Sequence, residues 1–238
     1  ADGEYNIFGY LGMIGIPLQP VMSFPRAPGT CVLTRHAAHD PRLADKILAR
    51  LRAGHNVMLT WELFKQLQDT EIGRVVPLLA REGSVAPATF RVQRRRGAPL
   101  QNPHGIAFPK LLAPTWPYGR VVAGVRADGD FIVLYRANYL NGIVYLLVMP
   151  ENAHDVLRLP PEVLDKIRAA AMPAMPLWLS GPGHVSLYLY DDATAVIFNA
   201  APARAQCELV VPDGPHAERW RARLRAAGLA LRAGDGET

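Results

Sequence analysis

The chain has 238 residues, half of them apolar, with a formal net charge of +5 and a sequence pI near 9.4. That composition excludes a disordered chain and suffices for one large or two small domains. Mean hydropathy is +0.04, and the sequence holds no run of roughly 18 apolar residues that would span a bilayer.

No basic-then-apolar leader opens the sequence. The chain starts at Ala1 rather than Met, so a processed or excised piece is expected. The sequence fixes no compartment; a bacterial cytoplasm is the expectation if the protein is intracellular. Cys31 and Cys207 sit in apolar, strand-like runs and read as two buried free thiols, too few to hold a structural zinc ion. The basic charge is mostly arginine, with only four lysines. Arg91, Arg94, Arg95 and Arg96 fall in one strand and loop, and Arg219, Arg221, Arg223 and Arg225 in one C-terminal helix. No aromatic residues alternate with them as stacking platforms would require. Nucleic acid is therefore not an expected partner, and neither is a membrane.

Apolar Ile7, Phe8, Leu11 and Ile14 recur at helical spacing in 5–15, and Gly15 ends that helix. Pro17 to Ser23 is extended. Cys31–Thr34 reads as a buried strand, followed by a polar loop, Arg35 to Asp40. The spacing then predicts a helix from Pro41 to about Ala53, with Asp40 as N-cap and Pro41 at its first position. Leu43, Ala44, Ile47, Leu48 and Leu51 form its apolar face, and Gly54 supplies the left-handed residue that stops it. Asn56–Thr60 is the next strand, and Trp61–Gln68 a short amphipathic helix. Strand, helix, strand implies a right-handed crossover between two parallel strands.

From Val85 to Gln93 the pattern alternates with period two, and Arg94–Pro103 is a polar loop. Gly119–Arg126, Phe131–Arg136 and Ile143–Met149 read as strands, with hairpin turns at Asp128-Gly129-Asp130 and Asn141-Gly142. Pro160-Pro161 opens a helix through Ala171, so the α/β pattern resumes after a β-rich insertion at about 85–136. Met172 to Pro176 reads as a linker. Leu177–Leu179, His184–Tyr190, Ala193–Ala200 and Ala205–Val211 form a small antiparallel β-unit with turns at Gly181–Gly183 and Asp191-Asp192. It is too small to hold a core alone. His216–Ala227 is a last helix with a stripe of Ala217, Trp220, Leu224 and Ala227, and the tail beyond Gly228 is expected to fray. The expected fold class is α/β, with a mostly parallel sheet interrupted by the β-rich insertion and followed by the small antiparallel domain. Its expected divisions are 1–172, 173–212 and a helix with tail at 213–238.

In an open parallel sheet, ligands sit beyond the carboxyl ends of the strands. Three loops are expected to meet there: Arg35–Asp40, Trp61-Glu62 and Pro150–Asp155. They hold His36, His39, Asp40, Trp61, Glu62, Glu151, Asn152, His154 and Asp155. His36, His39, Asp40, Trp61, Glu62, Asn152 and His154 are the candidates for a ligand crevice. The plainer reading of each is structural. Asp40 caps a helix, Asn152 and Asp155 suit a turn, Trp61 anchors a core, and histidines at strand exits are solvated. No HExxH-like spacing supports a metal. No GxSxG elbow and no GxGxxG or GxxxxGK[ST] cradle is present, and Cys31 stands at the start of its strand. Ser180-Gly-Pro-Gly183 is explained as a hairpin turn. Glycoside hydrolysis needs two facing carboxylates; Asp128, Asp130, Asp191 and Asp192 read as turn residues, which leaves Glu62 without a partner. No catalytic residue, metal or cofactor is assigned.

Taken in order, three stretches and a closing segment carry a resemblance: YNIFGYLGMIGIPLQPV, ADKILARLRAGHNVMLTWELFKQL, NYLNGIVYLLVMPENAHDVLRLPPEVLDKIR, then VSLYLYDDATAVIFNAAPARAQCELVV. Together, over residues 5 to 212, they resemble the C-terminal part of family 42 β-galactosidase-type glycoside hydrolases and their uncharacterised relatives. The resemblance implies an amidotransferase-like, flavodoxin-like α/β domain, often used for trimerisation, followed by a small β-domain. In that family both follow a catalytic barrel. The barrel's acid/base and nucleophile glutamates are not in this chain, and neither is the catalytic cysteine of amidotransferases. The implied role is accessory: packing on the catalytic barrel of a parent chain or subunit, homo-oligomer contacts, and the rim of a carbohydrate site. Two other readings stand beside it. One is a stand-alone hydrolase in which His39, Asp40, Glu62 and His154 converge. The other is a protein-interaction module that binds through the basic β-insertion.

Overall fold

The structure is a computed structural model that describes residues 4, 6–92, 98–112, 123–127, 131–173, 175–190, 194–212, 217–226 and 231–233. Helix α1 (Ile7–Met13) buries Ile7 and Leu11, but Phe8, expected on the same apolar face, is 47% exposed. Strand β1 (Thr30–Leu33) runs into a 3₁₀ turn, Arg35–His39, and then helix α2 (Leu43–Arg52). The helix starts two residues later than the Pro41 signal implied. The Asp40 carboxylate is still used at its entrance, accepting the Arg42 amide (3.0 Å) rather than capping as the N-cap residue. Gly54, at φ +84°, is the left-handed stop that the sequence indicated. Strand β2 (Asn56–Thr60) pairs in parallel with β1, Cys31 opposite Val57. It leads directly into helix α3 (Trp61–Leu67), followed by a short helix with no counterpart in the sequence reading, α4 (Glu71–Val75), capped by the Thr70 hydroxyl.

The β-rich region differs from expectation. The alternating strand expected at 85–93 is found as β4 (Thr89–Val92), and it is preceded by an unforeseen strand, β3 (Leu79–Val85), which ends before Pro87. Two further strands were not foreseen, β5 (Leu100–Gln101) and β6 (Phe108–Leu112). They are followed by β7 (Ala123–Ala127), β8 (Phe131–Tyr139) and β9 (Gly142–Leu147). The hairpin between β8 and β9 turns through Leu140 and Asn141, one residue earlier than the expected Asn141-Gly142 turn, and Leu140 takes φ +50°. Gly142 sits in the strand instead, where a Cβ would lie 2.6 Å from the His55 carbonyl oxygen. The expected turns at 128–130 and 191–192, and Arg94–Arg96, lie outside the described residues.

Most of these strands, which lie between β2 and β9 in the chain, join the main sheet, which is therefore not mostly parallel. The main sheet has seven strands in the order β1-β2-β9-β8-β7-β4-β5. Only β1, β2 and β9 are mutually parallel; β9 to β5 are antiparallel neighbours. Strands β3 and β6 form a separate antiparallel pair. Period-two alternation marks a half-buried strand but says nothing about which sheet it joins. The class observed is mixed α/β, with a small parallel portion and antiparallel additions.

After β9 come a 3₁₀ turn, Ala153–Arg158, and helix α5 (Pro161–Ala171), with Pro161 at its first position. Helix α2 packs on β2 and β9, while α5 reaches β1 on one side and β4 and β7 on the other. The C-terminal strands also depart from one antiparallel unit. Strands β10 (Trp178–Ser180), β13 (Glu208–Val211) and β14 (Leu231–Ala233) form one sheet, and β11 (Val185–Leu189) with β12 (Ala195–Asn199) another. Helix α6 (Ala217–Ala226) connects β13 to the parallel β14, so part of the tail expected to fray is a strand.

Buried side chains form two clusters. The larger runs from Ile7 to Met172 and includes Ile47, Leu51, Met58, Phe64, Phe90 and Phe108; the smaller holds Leu177, Leu179, Val185, Leu187, Val211, Trp220 and Leu224. Arg168, fully buried on α5, ties the surrounding segments together. Its guanidinium donates to the carbonyls of Ile14 (2.6 Å), Gly181 (2.7 Å) and Pro182 (3.0 Å) and to the Asp165 carboxylate (2.6 Å). Asp165 in turn accepts the Ser180 hydroxyl. A planar fork of donors suits this task, because one side chain meets several acceptors at once.

Candidate functional site

At the exits of β1 and β2, where a ligand crevice is expected, a side chain of this chain bridges the two strand ends. Glu4 is 4% exposed. Its carboxylate accepts the backbone amide of Arg35 (2.7 Å), just past β1, and that of Glu62 (3.2 Å), in the first turn of α3 just past β2. Amides at strand exits and helix starts point outward and attract anions. Here the anion is intramolecular. Beside it Thr60 is fully buried at the end of β2, and its hydroxyl finds no hydrogen-bond partner among the described residues.

Sequence reasoning missed Glu4. It is a lone acid ahead of the first helix, and its partners lie 31 and 58 residues away. No local pattern encodes that pairing. The only available signal was the presence of an acid just before an apolar helix that opens an α/β unit.

The seven candidates are placed as follows. His36 and His39 are exposed on the 3₁₀ turn after β1. Asp40, half-buried, pairs with Lys46; that hydrogen bond, reinforced by the Arg42 amide, holds its carboxyl below the ordinary carboxylate range. Trp61 is 3% exposed and packs on Phe64, with ring centroids 5.8 Å apart, so it is a core anchor with no face open to a sugar. The Glu62 carboxylate pairs with Lys65 (2.7 Å) on the same helix. Asn152 is exposed and accepts the His154 amide (3.3 Å), and Asp155 meets Arg158 (3.4 Å). The His154 ring lies edge-on to Tyr10 of α1 and to His184 at the entrance of β11, with centroids 5.9 Å apart in both cases. The candidates thus face separate partners: Lys46, Lys65, and the Tyr10–His184 pair. His39, Asp40, Glu62 and His154 share no hydrogen bond, and no grouping with metal-ligand geometry occurs among the described residues.

His184 has its imidazole pKa pulled down, first by burial and then by the neighbouring His154 and Arg158. Burial also pushes the Cys31 thiol up to about 11, the opposite of what a nucleophile needs. Both cysteines are free, Cys31 buried and Cys207 only half-buried, which corrects the expectation of two buried thiols.

A family model described as "Uncharacterized protein SSO3021, second domain" matches residues 1–91. No curated protein matches the chain. Among solved structures, Cytoplasmic Protein STM3548 from Salmonella typhimurium is similar at 10% identity over 61% of this chain and 75% of its own, with a TM-score of 0.40. The β-galactosidase from Bacillus circulans sp. alkalophilus is similar at 15% identity over 66% of this chain, with a TM-score of 0.37. A catalytic mutant of Gan42B, a GH42 β-galactosidase from G. stearothermophilus, is similar at 11% identity over 76% of this chain, also with a TM-score of 0.37. The chain spans 23% and 27% of the length of these two galactosidases. The likeness is coarse and partial.

Proposed function

We propose that this chain is a non-catalytic accessory region of a glycoside-hydrolase-like protein, built on an amidotransferase-like scaffold whose ligand crevice is closed from within. The observation that carries this reading is the Glu4 carboxylate, seated on the two backbone amides where such a scaffold would hold an anionic group. The same reading takes account of the carboxylates of Asp40, Glu62 and Asp155, each of which pairs with a cation on its own stretch of chain. The sequence stretches that resemble family 42 C-terminal regions supply the carbohydrate context. In this role the chain packs against a catalytic barrel, carried by a parent chain or another subunit, and contributes contacts between subunits beside a carbohydrate site.

The test is an assay of the purified 238-residue chain on a panel of aryl glycosides. The expected outcome is release no faster than the buffer blank. Turnover that scales with protein concentration and is lost on Glu62→Gln would overturn the non-catalytic reading and restore the crevice as an active site.

A further inference from the structure

The geometry points to strand β12 as a self-pairing edge, through which two copies of this chain associate about a two-fold axis at Ile197. This goes beyond the accessory role and does not depend on it.

Strand β12 bonds to β11 on one side only, and its other edge has no strand partner among the described residues. Successive side chains of a strand point to opposite faces, yet Val196, Ile197 and Phe198 are exposed at 44%, 46% and 57% in succession. Both faces of the strand are therefore open as well. Natural edge strands are guarded by charges, prolines or bulges. Strand β12 reads Ala-Val-Ile-Phe-Asn and carries none of these in its ladder with β11.

The ladder also fixes which backbone groups point outward. Ala200 donates to the His184 carbonyl (2.8 Å), and Tyr190 donates to the Thr194 carbonyl (3.2 Å). Hydrogen-bonded pairs alternate along an antiparallel ladder. Val196 and Phe198 therefore bond to β11, while the amides and carbonyls of Ala195, Ile197 and Asn199 face the open edge. A second β12, run antiparallel about Ile197, presents the same outward set. Ile197 then bonds its own counterpart, and Ala195 meets Asn199 of the second copy. Val196 stands opposite Phe198, apolar against apolar on one face, a pairing that stabilises sheets. The strand is its own complement in chemistry and in hydrogen-bond phase, which selects a second copy as the occupant. Two-fold pairing of this kind closes at two copies.

Tyr188 and Tyr190, 48% and 72% exposed, extend the apolar surface beyond the strand. Taking about 150–250 Å² for a full aromatic side chain and less for an aliphatic one, the five exposed residues offer roughly 500 Å² per copy. Edge pairing covers only part of that surface, which places the contact at the small, transient end of protein interfaces. The dimer is accordingly concentration-dependent rather than permanent.

Sedimentation velocity on the full 238-residue chain over a wide concentration range tests this, together with amide hydrogen exchange. The expected result is a shift from one to two copies as concentration rises. Slowed exchange should appear at the amides of Ala195, Ile197 and Asn199 in step with that shift. Ile197→Pro removes only an outward donor and is tolerated at an edge; it should stay monomeric while keeping the parent far-UV spectrum. The exchange measurement needs no variant, so it decides the matter even if Ile197→Pro misfolds. A chain that is monomeric at every concentration would overturn the proposal. So would assembly beyond two copies, or association that leaves those amides exchanging at the dilute rate.

Discussion

Glu4 and Thr60 show how one residue decides what a crevice can do. Both lie at the exit edge of β1 and β2, and each breaks a local expectation, one as a buried acid and the other as a buried hydroxyl with no partner among the described residues. Hydrogen bonds to a charged acceptor contribute about 1.5–3 kcal/mol each when removal strands the donors. With two such bonds lost, Glu4→Ala should lower the unfolding free energy by about 3 kcal/mol or more, measured by urea titration at neutral pH. Thr60→Val should act in the other direction. Replacing an unpaired buried hydroxyl by a methyl group removes a desolvation cost, and the same titration should show a gain of about 1 kcal/mol. A loss on Thr60→Val would mean that the hydroxyl has a partner after all.

At the scale of elements, hairpins and junctions carry the informative strain. Leu140 is 71% exposed and holds φ +50° between β8 and β9. The left-handed region costs a side-chain-bearing residue about 1–2 kcal/mol, and the exposed Leu140 side chain is little involved in packing. Leu140→Gly is expected to leave stability unchanged or raise it by up to about 1 kcal/mol, against the usual cost of introducing glycine into an ordered segment. A thermal melt checks this. The junction of α1, the 153–158 turn and β11 is where pH acts. The folded-state pKa of His184 lies below its ordinary value, so the unfolded chain binds the proton more readily. Stability is full above about pH 6.5, the unfolded value, and falls as the pH drops towards and through the folded one. The midpoint of thermal unfolding should decline across that window, and His184→Gln should flatten the decline. His154 and Arg158 are the charged neighbours that face the His184 ring; Tyr10 packs on His154, and Asp155 pairs with Arg158.

Across the whole molecule, the two apolar clusters meet at Arg168. Its removal strands three carbonyls and the Asp165 carboxylate in a buried place, and breaking such an arrangement typically costs about 3–5 kcal/mol. The parent chain should therefore unfold in one calorimetric transition, and Arg168→Met should either split it into two or lower it by many degrees. Arg168→Lys should fare almost as badly, because an ammonium group does not reproduce the fork.

Much of the local structure was legible in the sequence. The α2 face of Leu43, Ile47, Leu48 and Leu51, the Gly54 stop, the β1–β2 parallel pair and the Ala217–Trp220–Leu224 stripe all follow from periodicity and end signals. Register and sheet membership were not legible. The same alternation that marks β4, β7 and β8 fits an insertion or an extension of the main sheet equally well, and β3, β5 and β6 left no pattern that was read as a strand. Glu4 was not legible as an anchor, because its two amide partners lie far along the chain, whereas the Asp40 and Glu62 carboxylates pair with lysines close at hand.

The sequence by itself determined the main helices and several strands, because side-chain spacing, caps and glycines act over a few residues. Only the tertiary structure decided that the antiparallel strands join the parallel ones, that a distant carboxylate seats itself on the two exit amides, and that β12 has one strand partner among the described residues. Those outcomes depend on contacts between residues tens of positions apart. Burial and hydrogen-bond satisfaction in three dimensions select them, and no local pattern records them.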